Sequence, residues 1–249
     1  MFRAFLNLNI SLSRKIDNWF PKKIRQDGNV CFLENYRAEI SKQAKVIYDV
    51  GGGSQPFIEH RKYASDQQIV IGLDISEEEL KSALKNAYDH TIVADICKYI
   101  GKGDGDIVVS QSTLEHVPNM EGAIKGIASC VKKGGIVYIF APCRNALFAR
   151  LNLCLPETIK RKLLFKLFPK KAAGHDGFKA YYDKCTPKNI ESIGKRFDLV
   201  LIDKKIFWNS SYFKIFIPAY LLWRMWQLLA FCFIGEEAAE TFICVLRKK

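Results

Sequence analysis

The sequence predicts an α/β fold, a doubly wound and mostly parallel sheet, and three observations carry that expectation. A β-branched apolar run, Val46, Ile47, Tyr48 and Val50, stops at three consecutive glycines, Gly51, Gly52 and Gly53. Buried parallel strands read as such runs, and glycine lets backbone turn tightly where a ligand approaches it. Two further runs, 69–74 and 91–95, each end in an acid, Asp74 and Asp95. Helical segments alternate with these runs, as right-handed crossovers between parallel strands require.

The elements follow in order. Within the first twenty residues Phe5, Leu8, Leu12, Ile16 and Trp19 recur at helical spacing. Arg14 and Lys15 lie off that stripe, with Lys22, Lys23 and Arg25 just beyond. This basic amphipathic helix is suited to lying on anionic lipid, or to packing on its own domain. A lead-in helix over 32–42 carries Arg37 and completes an N-terminal section, 1–44. The main domain is 45–249. After the first strand and its glycine turn, Pro56-Phe57-Ile58-Glu59 can open a helix whose free N–H groups face the turn. Ser76-Glu77-Glu78-Glu79 is a capping box, so a helix runs through Leu80 and Leu84 towards Tyr88. Strands over 106–110 and 136–141 flank a helix over 120–131. Thr186-Pro187 starts another helix with a cap and an N1 proline, ahead of a sixth strand over 199–202 and a last one over 241–246.

In open parallel sheets ligands bind outside the carboxyl ends of the strands, so the glycines, Asp74 and Asp95 converge on one crevice. Asp74 is placed to accept two ribose hydroxyls and Asp95 an adenine amino group. The ordered motifs Asp49-Val50-Gly51-Gly52-Gly53, Gly72-Leu73-Asp74-Ile75-Ser76, Ala94-Asp95-Ile96, 106–117 and Val131-Lys132-Lys133-Gly134-Gly135 resemble the class I S-adenosylmethionine-dependent methyltransferases, type 11 branch. The resemblance covers about 45–142. A dinucleotide fingerprint fits worse, because its last glycine falls on Pro56. The resemblance implies a Rossmann-like, seven-stranded sheet with a reversed last strand and S-adenosyl-L-methionine as cofactor. It implies cofactor contacts from Asp49, Gly51, Gly52, Gly53, Asp74, Ile75, Asp95, Ile96 and Gln111. Arg37 either reaches the cofactor's carboxylate or is a solvated surface residue.

The formal charge of +12 and pI near 9.3 call for an anionic partner. Eight cysteines without a C-x-x-C pair read as reduced, core-filling thiols in a cytosolic setting, with no metal site and no disulfide framework. Asn7, Asn9 and Ser11 interrupt the first apolar stretch, so it is read as retained and not as a signal peptide.

Methyl transfer from a sulfonium needs alignment, exclusion of water and, for a hydroxyl acceptor, a base. His116, just after the fourth strand, is the first candidate base and His175 the second; His116 can equally serve loop structure. Ser110-Gln111-Ser112-Thr113 stands where base-amino methylases of this superfamily carry an Asn/Asp-Pro-Pro-aromatic motif, which argues against nucleic acid. Pro142-Cys143 lacks the second Pro-Cys of cytosine-5 enzymes. A basic and apolar lid insertion over 143–185 and an apolar insertion over 206–240 suit membrane-associated members of the branch. The expected acceptor is a lipid-linked sugar or cell-surface glycan precursor, with a quinone or other small molecule as the alternative. A non-catalytic S-adenosylmethionine-binding module that recruits a partner is a further reading. Residues 215–234 are long enough to span a bilayer, yet the flanking strands share one sheet, so the expectation is peripheral association; burial in the core or in a homodimer interface is the alternative.

Overall fold

The structure, a computed structural model, describes residues 2–58, 68–156, 179–210 and 212–249. Three helices lead in: α1 (Phe2–Asp17), the short α2 (Lys22–Arg25) and α3 (Gly28–Gln43). There follow β1 (Val46–Val50), β2 (Ile69–Asp74), α4 (Glu77–Ser82), β3 (His90–Val93), β4 (Gly105–Gln111) and α5 (Met120–Cys130). The rest is β5 (Val131–Pro142), α6 (Leu147–Cys154), α7 (Pro187–Lys195), β6 (Leu199–Phe207), α8 (Ile217–Ile234) and β7 (Thr241–Lys248). The seven strands form one sheet in the order β3-β2-β1-β4-β5-β7-β6. Only β7 is reversed, antiparallel to both β5 and β6, as expected from the sequence. The order reverses between β1 and β4, the topological switch at which such sheets bind ligands.

Alternation along the strands explains the double winding. On β5, Val137, Ile139 and Ala141 join the core under α5 and α7, while Tyr138 and Phe140 point to the opposite face against α3. Phe32 on α3 is fully buried there and packs its ring on Tyr36, Phe57 and Phe140. Burial of such a ring contributes roughly 1.5–3 kcal/mol. Asp27 caps α3 through bonds from the Asn29 and Val30 N–H groups, so the helix starts four residues before the predicted one. Ser76 caps α4 by accepting the Glu79 N–H, but α4 ends at Ser82, short of the predicted run towards Tyr88. The helix expected after Pro56 and the centre of the 143–185 insertion lie outside the described residues.

Gly72, inside β2, is there for contact and not for flexibility: a Cβ at this position would lie 2.8 Å from the Tyr88 ring. Gly72→Val should therefore lower stability by about 1–3 kcal/mol, the cost of overpacking, read as a drop in midpoint on urea unfolding. An unchanged midpoint would mean that Tyr88 does not wedge against β2.

Candidate active site

β1 carries the Asp49 carboxylate into the interior and then turns. Gly51 and Gly53 have positive φ, 77° and 47°, which side-chain-bearing residues rarely adopt. The turn is pinned from both sides. The Gly51 N–H donates to the Leu73 carbonyl of β2 at 2.7 Å, and the Thr113 hydroxyl beyond β4 donates to the Val50 carbonyl at 3.2 Å. A Cβ on Gly51 would overlap the Thr113 side chain, and one on Gly52 would lie 2.5 Å from Asp49 Oδ2. Asp49 Oδ2 accepts the Phe57 N–H at 2.7 Å, while Oδ1 has no hydrogen-bond partner among the described residues. Burial pushes the Asp49 carboxyl up to about 7, against the pull of the Phe57 and Tyr88 hydrogen bonds.

The acids of the neighbouring strands stand on the same rim. A Cβ on Gly53 would meet Asp74 Oδ2 at 3.2 Å. Asp74 Oδ1 accepts the Ser76 N–H at 2.9 Å, and burial together with the nearby Glu79 charge raises its pKa despite that bond. Ile75 beside it is 61% exposed, an apolar face on the rim. Asp95 lies two residues past β3, half-buried, and accepts the Cys97 N–H at 2.9 Å. Ile96 buries its side chain in the core, so it can offer the crevice only main chain. Gln111, at the end of β4, donates from Nε2 to Asn29 Oδ1 at 2.6 Å and ties the crevice to α3.

Beyond Thr113 a 3-10 turn, Leu114–His116, brings in the candidate base. His116 is 36% exposed. Its Nδ1 is 3.2 Å from the Lys179 carbonyl, an acceptor only, so the neutral ring holds its proton there and its basic lone pair on Nε2. Glu115 beneath it is buried and pushed up to about 8 by desolvation, with Oε1 3.9 Å from His116 Nε2. His175 lies outside the described residues. Cys143 is buried and its thiol is pushed up to about 12 by desolvation, which removes it as a nucleophile. Arg37 is not the solvated residue that one reading of the sequence expects. Its half-buried guanidinium lies over the Phe57 ring at 5.3 Å, and its charge favours the ionised form of Asp49.

A family model described as a methyltransferase domain matches residues 48–139, the stretch from β1 to β5 that builds this crevice. The chain carries a class I S-adenosylmethionine-dependent methyltransferase domain. Among solved structures, a magnesium protoporphyrin IX methyltransferase from Synechocystis PCC 6803 with bound SAH shares the fold at 16% identity, TM-score 0.54, over 89% of this chain and 84% of its own. A SAM-dependent methyltransferase from Archaeoglobus fulgidus shares it at 15% identity and TM-score 0.54, over 91% and 97%. Curated relatives include ubiquinone biosynthesis O-methyltransferases. One from Shewanella halifaxensis is 28% identical over 54% of this chain and 57% of its own length. Another, from Thiobacillus denitrificans, is 33% identical over 51% and 54%. The chain thus spans between half and two thirds of the length of these relatives.

The methyltransferase crevice fits the family's cofactor on its own features: a turn that excludes side chains, an unpartnered buried carboxylate oxygen on Asp49, and two acids and an exposed apolar residue on one rim. Three contributors were missed in the sequence. Ser54 donates to Glu79 Oε2 at 2.6 Å, so Glu79, whose N–H binds the Ser76 cap, also braces the glycine turn. The Tyr88 hydroxyl donates to the Gly53 carbonyl at 3.1 Å, and Thr113 clamps the turn from the β4 side. Gly72 inside a strand was the available signal for Tyr88, because such glycines mark close approach.

The raised Asp49 pKa has a definite sign. A carboxyl with folded pKa near 7 and unfolded pKa near 3.8 destabilises the fold progressively as pH rises through that window. Asp49→Asn should gain stability relative to the parent between pH 4 and pH 7, measured by urea unfolding at each pH. A constant difference would contradict a buried, partly unpaired carboxylate.

Proposed function

We propose that the chain is an S-adenosylmethionine-dependent O-methyltransferase of a small, lipid-soluble hydroxyl acceptor of the quinol type, working at a membrane surface. The observation that carries the reading is the glycine turn after β1, clamped by Asp49, Thr113 and Tyr88, with Asp74 and Asp95 at the ends of the adjoining β2 and β3, beside the switch between β1 and β4. S-adenosylmethionine supplies an electrophilic methyl group on sulfur. The chain's own residues do the rest. Gly51, Gly52 and Gly53 leave room for a ligand against backbone, Asp74 and Asp95 accept hydrogen bonds on the rim, and Ile75 offers a face for a planar base. Arg37, over the Phe57 ring and in the field of Asp49, sets a positive charge near the turn. His116 holds a lone pair on Nε2 that can take the acceptor's hydroxyl proton, and the Lys179 carbonyl holds the ring in the tautomer this needs.

The relatives' names support the small-molecule acceptor over the lipid-linked sugar or glycan precursor expected first from the sequence. Both present a hydroxyl on an apolar carrier, so the same residues serve either. Labelled S-adenosylmethionine, offered with catechol-type acceptors in phospholipid vesicles and separately with total cell lipids, should label the former. His116→Ala should lower that turnover at least about tenfold while leaving S-adenosylhomocysteine affinity within about twofold. Equal loss of turnover and affinity would make His116 structural. Cofactor binding without transfer to any acceptor would favour the non-catalytic binding module.

A further inference from the structure

α1 and α8 are packed inside out. α1 buries Asn9, Ser13 and Asp17, one per turn, and turns Phe5, Leu8 and Leu12 to solvent. α8 buries Tyr220, Trp223, Arg224 and Gln227, and exposes most of the remaining apolar circumference, including Leu222, Leu228 and Phe233, the last at 86%. Tyr220, Arg224 and Gln227, at i, i+4 and i+7, thus form a polar stripe that faces inward. It is satisfied there: Tyr220 and Arg224 each donate to Asp17 Oδ1 at 2.6 Å, Lys214 reaches Asp17 Oδ2 at 2.7 Å, and Trp223 donates to Glu240 at 2.7 Å. Asn9 Oδ1 accepts the Ile217 N–H, and Ser13 donates to the Lys214 carbonyl. Burial works against the Asp17 carboxylate, yet the bonds from Lys214, Tyr220 and Arg224 outweigh it and hold its pKa below the usual value.

A polar seam with apolar outer faces suits a medium outside the pair that is less polar than the joint within it. Charge selects the medium. Residues 1–26 contain six basic side chains and a single acid, Asp17, which is paired inside the seam. Arg14, Lys15, Lys22, Lys23 and Arg25 gather where α1 ends, around Trp19, which is 83% exposed. Basic residues and tryptophan bordering an apolar face match anionic headgroups above acyl chains.

By length and composition alone residues 217–238 could cross a bilayer. The topology forbids it. β6 and β7 are paired down to the Phe207–Thr241 rung, so the chain leaves and rejoins the sheet at one place. Only six residues, 235–240, lead back from α8 to β7, and six extended residues reach at most about 20 Å, less than the roughly 30 Å hydrocarbon core.

We propose that α1 and α8 together form a monotopic membrane-binding surface that seats in one leaflet of an anionic phospholipid bilayer, held as a unit by the Asp17–Arg224 seam. This deepens the membrane part of the proposed function, and it rests on that reading only for where the acceptor is met. The full chain should float with phosphatidylglycerol/phosphatidylcholine vesicles and much less with phosphatidylcholine alone or at high salt. Leu222→Glu/Leu228→Glu/Phe233→Glu changes only outward side chains. It should cut flotation at least about tenfold while S-adenosylhomocysteine binding stays at the parent level. A parent that stays at the bottom of the gradient, a triple variant that floats equally well, or a stable dimer indifferent to lipid would overturn the proposal. Flotation without methyl transfer would leave this surface standing and remove the catalytic reading instead.

Discussion

Asp49 is a carboxylate buried beneath a turn that can carry no side chains, and the geometry of the crevice depends on that arrangement. Its Oδ2 holds the Phe57 N–H and so fixes the direction in which the chain leaves the turn. Any Cβ at Gly52 would collide with it. The turn cannot relax away, because Thr113 holds it from β4, the Gly51 bond to Leu73 holds it from β2, and Tyr88 props Gly53 from below. Desolvation of Asp49 is the cost, and its raised pKa is the sign that this cost is not fully offset within the protein. Sites that bind or react commonly store such unfavourable terms.

The same logic, with the signs reversed, runs through the α1 and α8 pair. There the Asp17 and Arg224 charges are paired with each other, and the exposed apolar faces are what stay unfavourable in water. A seam of hydrogen bonds between two helices is more directional than a greasy contact, so it fixes how the outer faces are presented. The lead-in helix α3 joins the crevice side of the sheet to the strand ends that flank the insertion. Asp27 caps α3, Asn29 in its first turn binds Gln111, and a Cβ on Gly28 would meet the side chains of Thr241, Phe207 and Phe140. The lead-in helices, the insertion and the carboxyl ends of the strands therefore meet in one region.

How much of this was legible in the sequence follows from how local each signal is. Strand runs ending in Gly51 or in acids reveal position and rim together, so the sheet and the roles proposed for Asp74 and Asp95 could be read directly. Gln111 and Asp49 were found through family resemblance, without their partners. Glu79 was legible only as a capping residue, because its bond to Ser54 spans a chain reversal that no local pattern encodes. Tyr88 read as the end of a helix, since its contacts with Gly53 and Gly72 are tertiary. On α8 the i, i+4, i+7 spacing of Tyr220, Arg224 and Gln227 is visible in the sequence, but the side it faces is not. That depended on Asp17, some two hundred residues away in sequence.

The most direct measurement is calorimetric titration of S-adenosylhomocysteine into the parent and into Asp74→Ala. The geometry of the rim predicts one site per chain, weakened in the variant by more than about 1 kcal/mol, the worth of a hydrogen bond to a charged acceptor. Undiminished affinity in Asp74→Ala, or no binding by the parent, would contradict the assignment of this crevice to the cofactor.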